Sequence, residues 1–253
     1  MIKVCDISFG YKNHKILCGI SLTLGAGELC SVIGVNGSGK TTLIKLLGRT
    51  LTPDSGSIEV DERPIDSYTP KELAKKVSRL SQSRDIPDAS VSDLIASGRY
   101  PYLGFSGRLG DSDIAALDAA VEMTDTAPLL GKKVRELSGG ERQRVYFAML
   151  LAQNTPYVLL DEPTTYLDAA SRFEMYRLID KMKEMGKGIL SVSHDIPYAI
   201  KHSDKILIID GGRAVFYGSP SDHDAIGLIE KVFGVRFVES RVDGEKEYFI
   251  KEH

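Results

Sequence analysis

Residues 34–42 read G-V-N-G-S-G-K-T-T and follow directly on the apolar run 29–33. Glycines at 34, 37 and 39 let successive backbone N–H groups turn inward, and a helix starting there adds its positive end to the same spot. At this spacing Lys40 reaches the β- and γ-phosphates of a nucleotide and the Thr41 hydroxyl ligates Mg²⁺, with Asn36, Ser38 and Thr42 completing the loop. A glycine-rich turn could arise by chance, but a strand before it and an apolar helix after it (Leu43, Ile44, Leu46, Leu47) favour the phosphate cradle. A second constellation, Asp161-Glu162-Pro163, ends the apolar run 157–160. One carboxylate at a strand end can hold Mg²⁺ through water while the next polarises an attacking water, so Asp161 is assigned to the metal and Glu162 to the base.

Three further side chains acquire a role only beside that cradle. Gln82, just past the strand 77–80, could offer its carbonyl to Mg²⁺ and sense the γ-phosphate; alone it reads as a solvated loop amide. His194, after the buried run 188–192, could reach the γ-phosphate and the attacking water, although a lone loop histidine is usually surface. Tyr11, on a turn after Phe9-Gly10, could stack on a purine base or be an edge aromatic.

The elements that must carry these groups are legible in outline. Short strands around 2–7 and 16–24, separated by a polar turn at 12–15, give an antiparallel opening before the cradle. Strands 57–60 and 77–80 follow the turn 52–56, and the texture becomes helical from 83 to 154: a short helix at 91–97, a loop at 98–110 and a helix through Ile114, Leu117 and Val121. This stretch reads as a helical lobe (83–154) inserted into an α/β lobe (1–82 and 155–253) within one domain. The loop holds Arg99-Tyr100-Pro101-Tyr102-Leu103-Gly104-Phe105, whose rings either dock another protein or fill the lobe. Beyond 155 come strands at 157–160 and 188–192, a helix with core methionines at 175, 182 and 185, a hairpin at 205–217, and a tail with a short helix and a strand at 247–250.

Composition narrows the function classes. A net charge of −3 gives no global case for nucleic acid. No secretory leader and no apolar run near the ~20 residues of a spanning helix is present, so a cytosolic chain is expected unless a partner holds it at a membrane. Three cysteines without close metal-type spacing read as buried reduced thiols.

The lobe closes on Leu137-Ser138-Gly139-Gly140-Glu141-Arg142-Gln143-Arg144. Ser138 and Glu141 form a capping box, a good helix start in any protein. Bearing two glycines, this start is also a second anion site, which one chain with one cradle does not need.

The succession Tyr11, G-V-N-G-S-G-K-T-T, Gln82, L-S-G-G-E-R-Q-R, Y-V-L-L-D-E-P, Leu167-Asp168, His194 resembles the nucleotide-binding subunit of ATP-binding cassette (ABC) transporters over nearly the whole chain. The resemblance implies a RecA-like P-loop NTPase core with an antiparallel β subdomain and an inserted helical subdomain, ATP and Mg²⁺ as ligands, and ATP hydrolysis. It makes Ser138, Gly139 and Gly140 the signature motif, Gln82 the Q-loop, Asp168 the D-loop aspartate and His194 the switch histidine. Two copies would dimerise head to tail, each ATP lying between the cradle of one and the Ser138 helix of the other. Partners implied are integral membrane permease subunits seated near the loop after Gln82 and 99–105, and through them an extracytoplasmic substrate-binding protein, with the chain at the cytoplasmic face of the membrane. Residues 162–168 and Ser97-Gly98-Arg99-Tyr100-Pro101 resemble the importers of iron chelates, haem and cobalamin, from which Tyr102 departs where many members have histidine. An exporter subunit is the alternative. A non-transport cassette ATPase working on nucleic acid would bring a second cradle or a long coiled coil, and neither is in the sequence.

Overall fold

The computed structural model describes residues 1–12, 14–82, 85–104, 107–242 and 245–251, the side chains of 241–242 and 245–247 excepted. In chain order it comprises β1 (Ile2–Tyr11), β2 (His14–Leu24), β3 (Leu29–Ile33), α1 (Lys40–Leu47), β4 (Ser55–Val60), β5 (Arg63–Pro64), α2 (Pro70–Ala74), β6 (Val77–Leu80), α3 (Val91–Ser97) and α4 (Asp111–Met123). It continues through α5 (Gly139–Gln153), β7 (Tyr157–Asp161), α6 (Ala169–Glu184), β8 (Gly188–Val192), α7 (Ile196–His202), β9 (Lys205–Asp210), β10 (Arg213–Gly218), α8 (Ala225–Phe233), β11 (Arg236–Val242) and β12 (Glu245–Lys251).

Strands β3, β7 and β8 are buried at every position, as uninterrupted apolar runs must be when helices cover both faces. They belong to a six-stranded sheet in the order β10-β9-β3-β8-β7-β6, parallel except for the edge pair β10–β9. A separate antiparallel sheet, β2-β1-β4-β5, closes over α1, and the two bury one continuous core that includes Ile7, Leu17, Leu43, Leu159 and Leu207. On the opposite face α5 and α6 cover the sheet, with Phe147, Met175 and Met182 wholly buried against Val158 and Ile189. Helices α3 and α4 lie against α5.

Several local expectations are corrected. The opening strands are longer than read, because β-bulges absorb the polar residues that look like breaks; His14 and Lys15 are in β2, leaving a tighter turn than 12–15. The stretch 98–110 contains a 3₁₀ turn at Tyr100–Tyr102, since Pro101 fits the first turn of a helix. Met185 is exposed, as it lies past the end of α6 as its C-cap. The tail forms a hairpin, β11–β12, where one strand was expected. Of the three free thiols only Cys30 is buried, and burial pushes it up to about 12; Cys5 and Cys18 are half-exposed. Phe105 and Ser83 lie outside the described residues.

Candidate functional site

Four neighbouring parallel strands deliver four chemistries to one edge of the sheet. In the spatial order β3, β8, β7, β6, their C-terminal ends lead into the glycine-rich loop, His194, Glu162 and Gln82. They enclose a cleft of about 680 Å³ lined by Ile16, Asn36, Gly37, Gly39, Lys40, Thr41, Thr42, Gln82, Glu162, Thr165, Tyr166 and His194.

The loop is shaped by two demands. Gly39 has φ 105°, and a Cβ there would sit 2.5 Å from Leu17 Cδ2, so only glycine fits against the β2 strand. Gly34 is pressed against β9: a Cβ would meet the Ile209 carbonyl at 2.2 Å. Gly37, at φ 80°, has open space beside it and faces the cleft. The Ser38 hydroxyl is buried without a hydrogen-bond partner, the state of a group that a further ligand would satisfy. Lys40 is buried, and its Nζ donates to the carbonyls of Gly34 (2.8 Å) and Val35 (3.0 Å). Burial lowers its pKa, with the carboxylates of Glu162 and Asp161 pulling the other way. The ammonium thus spans the loop from inside, in the place phosphate oxygens would occupy.

Asp161 ends β7 almost fully buried and accepts a hydrogen bond from Thr41 Oγ1 at 3.1 Å. Burial raises its pKa against that bond. Thr41 Oγ1, the Asp161 carboxylate and the Gln82 amide oxygen make an all-oxygen donor set that suits a hard divalent cation. Among the described residues no cluster of three or more His, Cys, Asp or Glu side chains could hold a metal ion.

Glu162 follows at φ 52°, a left-handed backbone that a non-glycine residue adopts at a cost. Its N–H donates to Val192 O at 3.2 Å, tying the turn to β8. The carboxylate makes three side-chain contacts: Oε1 meets His194 Nε2 at 2.6 Å, and Oε2 accepts from Gln82 Nε2 (2.6 Å) and Thr165 Oγ1 (3.0 Å).

Other sequence-derived candidates stand apart from the cleft. Ser138 caps α5, accepting from Glu141 N at 3.3 Å while its own N–H donates to Glu141 Oε2 at 2.9 Å. Ser138 and Gly139 are exposed, and Gly139 borders a neighbouring hollow shared with Gln82 and Tyr166. Gly140 has an intrachain reason to be glycine, because a Cβ would lie 2.4 Å from Ser171 Oγ. Asp168 caps α6, accepting from Ser171 N at 2.8 Å. Tyr11 is half-exposed at the end of β1, edge-on to Phe9 at 5.0 Å, and does not line the cleft. Tyr100 is exposed, whereas the Tyr102 ring lies under the Arg99 guanidinium at 3.8 Å.

Ile16, Thr165 and Tyr166 line the cleft without having been singled out from the sequence. Thr165, a hydroxyl three residues after Glu162, carried a usable signal; Ile16 looks like any core residue.

A parallel sheet with a glycine-rich loop ending in Lys-Thr at one strand and a buried acidic strand end two strands away defines a P-loop nucleotide hydrolase. The family model "ABC transporter" matches residues 17–165. The chain belongs to the ABC transporter family and is its ATP-binding, ATP-hydrolysing subunit. It is 34% identical to the ferric enterobactin transport ATP-binding protein FepC of Escherichia coli, over 91% of this chain and 86% of that one. It is likewise 34% identical to the petrobactin import ATP-binding protein YclP of Bacillus subtilis, over 97% and 98%. Among solved structures it resembles CbiO1 of Clostridium perfringens, part of the ABC transporter complex CbiONQ, with a TM-score of 0.77, 27% identity, and 91% and 94% of the two chains covered.

Proposed function

We propose that this chain powers an importer of iron chelates by ATP-driven, head-to-tail association of two copies on membrane permease subunits. The import of siderophores by similar chains, named for ferric enterobactin and petrobactin, supports the cargo class over an exporter. Among the described residues no helix is long and apolar enough to cross a membrane. In this reading the chain is a peripheral subunit at the cytoplasmic face, served by separate permease and substrate-binding proteins.

The cradle residues 34–42 bind the phosphates, and Tyr11 stacks on the base from the hairpin whose Ile16 lines the cleft. Thr41, Asp161 and Gln82 would hold Mg²⁺, which when bound neutralises charge on the β- and γ-phosphates. Glu162 orients and deprotonates the attacking water. His194 contacts the γ-phosphate and the water. Oε1 carries a single contact, so Glu162 can accept the attacking water there while its bonds to His194, Gln82 and Thr165 keep it oriented. Ser138, Gly139 and Gly140 of a second copy cover the γ-phosphate and Asp168 bridges the halves. The lobes 1–82 with 155–253 and 83–154 move as units hinged near Gln82, meeting along α5. Tyr100, exposed on the helical lobe, contributes to the permease seat.

The observation that carries this reading is the separation of the Ser138 helix start from a cleft that holds every other catalytic element. A Ser138→Arg chain and a Lys40→Ala chain should each lose ATPase activity alone. Mixed, they should regain part of it, because one composite site of each mixed dimer is intact. A cis arrangement predicts no recovery on mixing.

A further inference from the structure

Behind Glu162 and His194 lies a second hollow of about 460 Å³, and its floor contains a tyrosine that no step above uses. Tyr176 sits on α6, two turns past the cap residue Asp168, and is buried. Its hydroxyl donates to Asp195 Oδ2 at 2.7 Å. Thr164, in the loop that carries Glu162, lines the same hollow. One phenol therefore ties α6 to the loop that carries His194.

Asp195 is well placed to transmit this. It is the N-cap of α7, with Oδ1 accepting from Tyr198 N at 3.0 Å, and its own N–H donates to Ser193 Oγ at 3.0 Å. Both residues flanking His194 are thus fixed while the imidazole itself is exposed. The Tyr176 ring is in turn stacked on Tyr198, with centroids 3.6 Å apart and planes 9° from parallel. Arg172, the other group facing Asp195 Oδ2, lies at 4.0 Å and is half-exposed, so it holds the carboxylate less firmly than the buried phenol. Burial together with the Asp195 carboxylate raises the Tyr176 pKa, which keeps the phenol a donor.

We propose that Tyr176 is a positioning residue for ATP hydrolysis: through Asp195 it sets the orientation of His194 toward Glu162, and through α6 it links that orientation to Asp168. This rests on the assignment of His194 as a catalytic group. A shift of α6 when a second copy engages Asp168 would then reach His194 through one hydrogen bond, without any change in the cradle.

The test is Tyr176→Phe in the full chain, which removes the hydroxyl and keeps the ring stack. In ¹³C-histidine-labelled, nucleotide-free protein, the His194 Cε1–H signal, assigned with His194→Ala, should move or broaden while those of the other histidines stay. With Mg²⁺ and ATP, kcat should fall roughly tenfold with KM unchanged, the scale of one hydrogen bond to a carboxylate. The double variant Tyr176→Phe/His194→Ala should be no slower than His194→Ala. An unmoved His194 signal, or additive losses in the double variant, overturns the proposal. If His194→Ala alone keeps wild-type kcat, the catalytic assignment of His194 fails, and the signal still decides whether Tyr176 positions it. Should Tyr176→Phe not fold, Asp195→Asn weakens the same bond and is read the same way.

Discussion

Replacing Glu162 by glutamine separates chemistry from architecture at this site. The carboxylate makes three side-chain contacts, to His194 at 2.6 Å, Gln82 at 2.6 Å and Thr165 at 3.0 Å. An amide of the same shape keeps an acceptor for Gln82 and Thr165 and presents a donor to the His194 ring. The fold and the loop at φ 52° should therefore survive, and the melting temperature should stay close to that of the parent. What disappears is the group that takes the proton of the attacking water, a contribution of roughly 10²–10⁴ in rate. At 1.36 kcal/mol per decade the barrier rises by about 3–5 kcal/mol. Lys40, Thr41 and Asp161 are untouched, so nucleotide affinity should be equal or tighter. The assay is single-turnover phosphate release beside light scattering with and without Mg²⁺ and ATP. Expected are a rate at least about a hundredfold lower and an ATP-dependent doubling of mass that persists. Hydrolysis near the parental rate would refute the assignment of the base; a tenfold loss of ATP affinity would refute the claim that the amide leaves the site intact.

Substitutions at Asp161, Gly139 and Gly140 bear on how function shapes stability. Burial raises the Asp161 pKa above the ordinary carboxylate value, so its stabilising contribution is full below that value and is lost as pH rises through the raised one. Asp161→Asn should flatten this fall and raise the nucleotide-free Tm near neutral pH, while abolishing ATPase activity; an unchanged or lower Tm contradicts it. A methyl at Gly140 would strike Ser171 Oγ at 2.4 Å, whereas at Gly139 it meets nothing within 4 Å. Thermal melts should show Gly140→Ala destabilised by about 1–3 kcal/mol and rescued by Ser171→Ala. Gly139→Ala should melt like the parent, so that any loss of activity arises at the interface with a second copy.

The reading from sequence succeeded where the chemistry is local. The cradle, the Ser138–Glu141 capping box and the hairpin around Gly211-Gly212 depend on turn geometry and on caps within a few residues, and short stretches encode them. Strands β3, β7 and β8 were legible because both-face burial leaves largely apolar runs. It was weaker where backbone register and side-chain packing decide: bulges lengthened β1 and β2, a guanidinium took Tyr102 out of the free surface, and Met185 fell beyond its helix.

The same boundary runs through the site. Residue types and spacing determined that the chain holds a glycine-rich loop between a strand and a helix, two acids at a strand end and a capped helix start bearing two glycines, since each is a property of consecutive residues. Only the tertiary structure decided that Glu162 is held by Gln82, Thr165 and His194 together, and that Tyr176 ties α6 to the loop that carries His194. Those contacts join positions up to 80 residues apart. They exist because the strand order β3-β8-β7-β6, fixed by burying both faces of the sheet, differs from the order in which the chain runs.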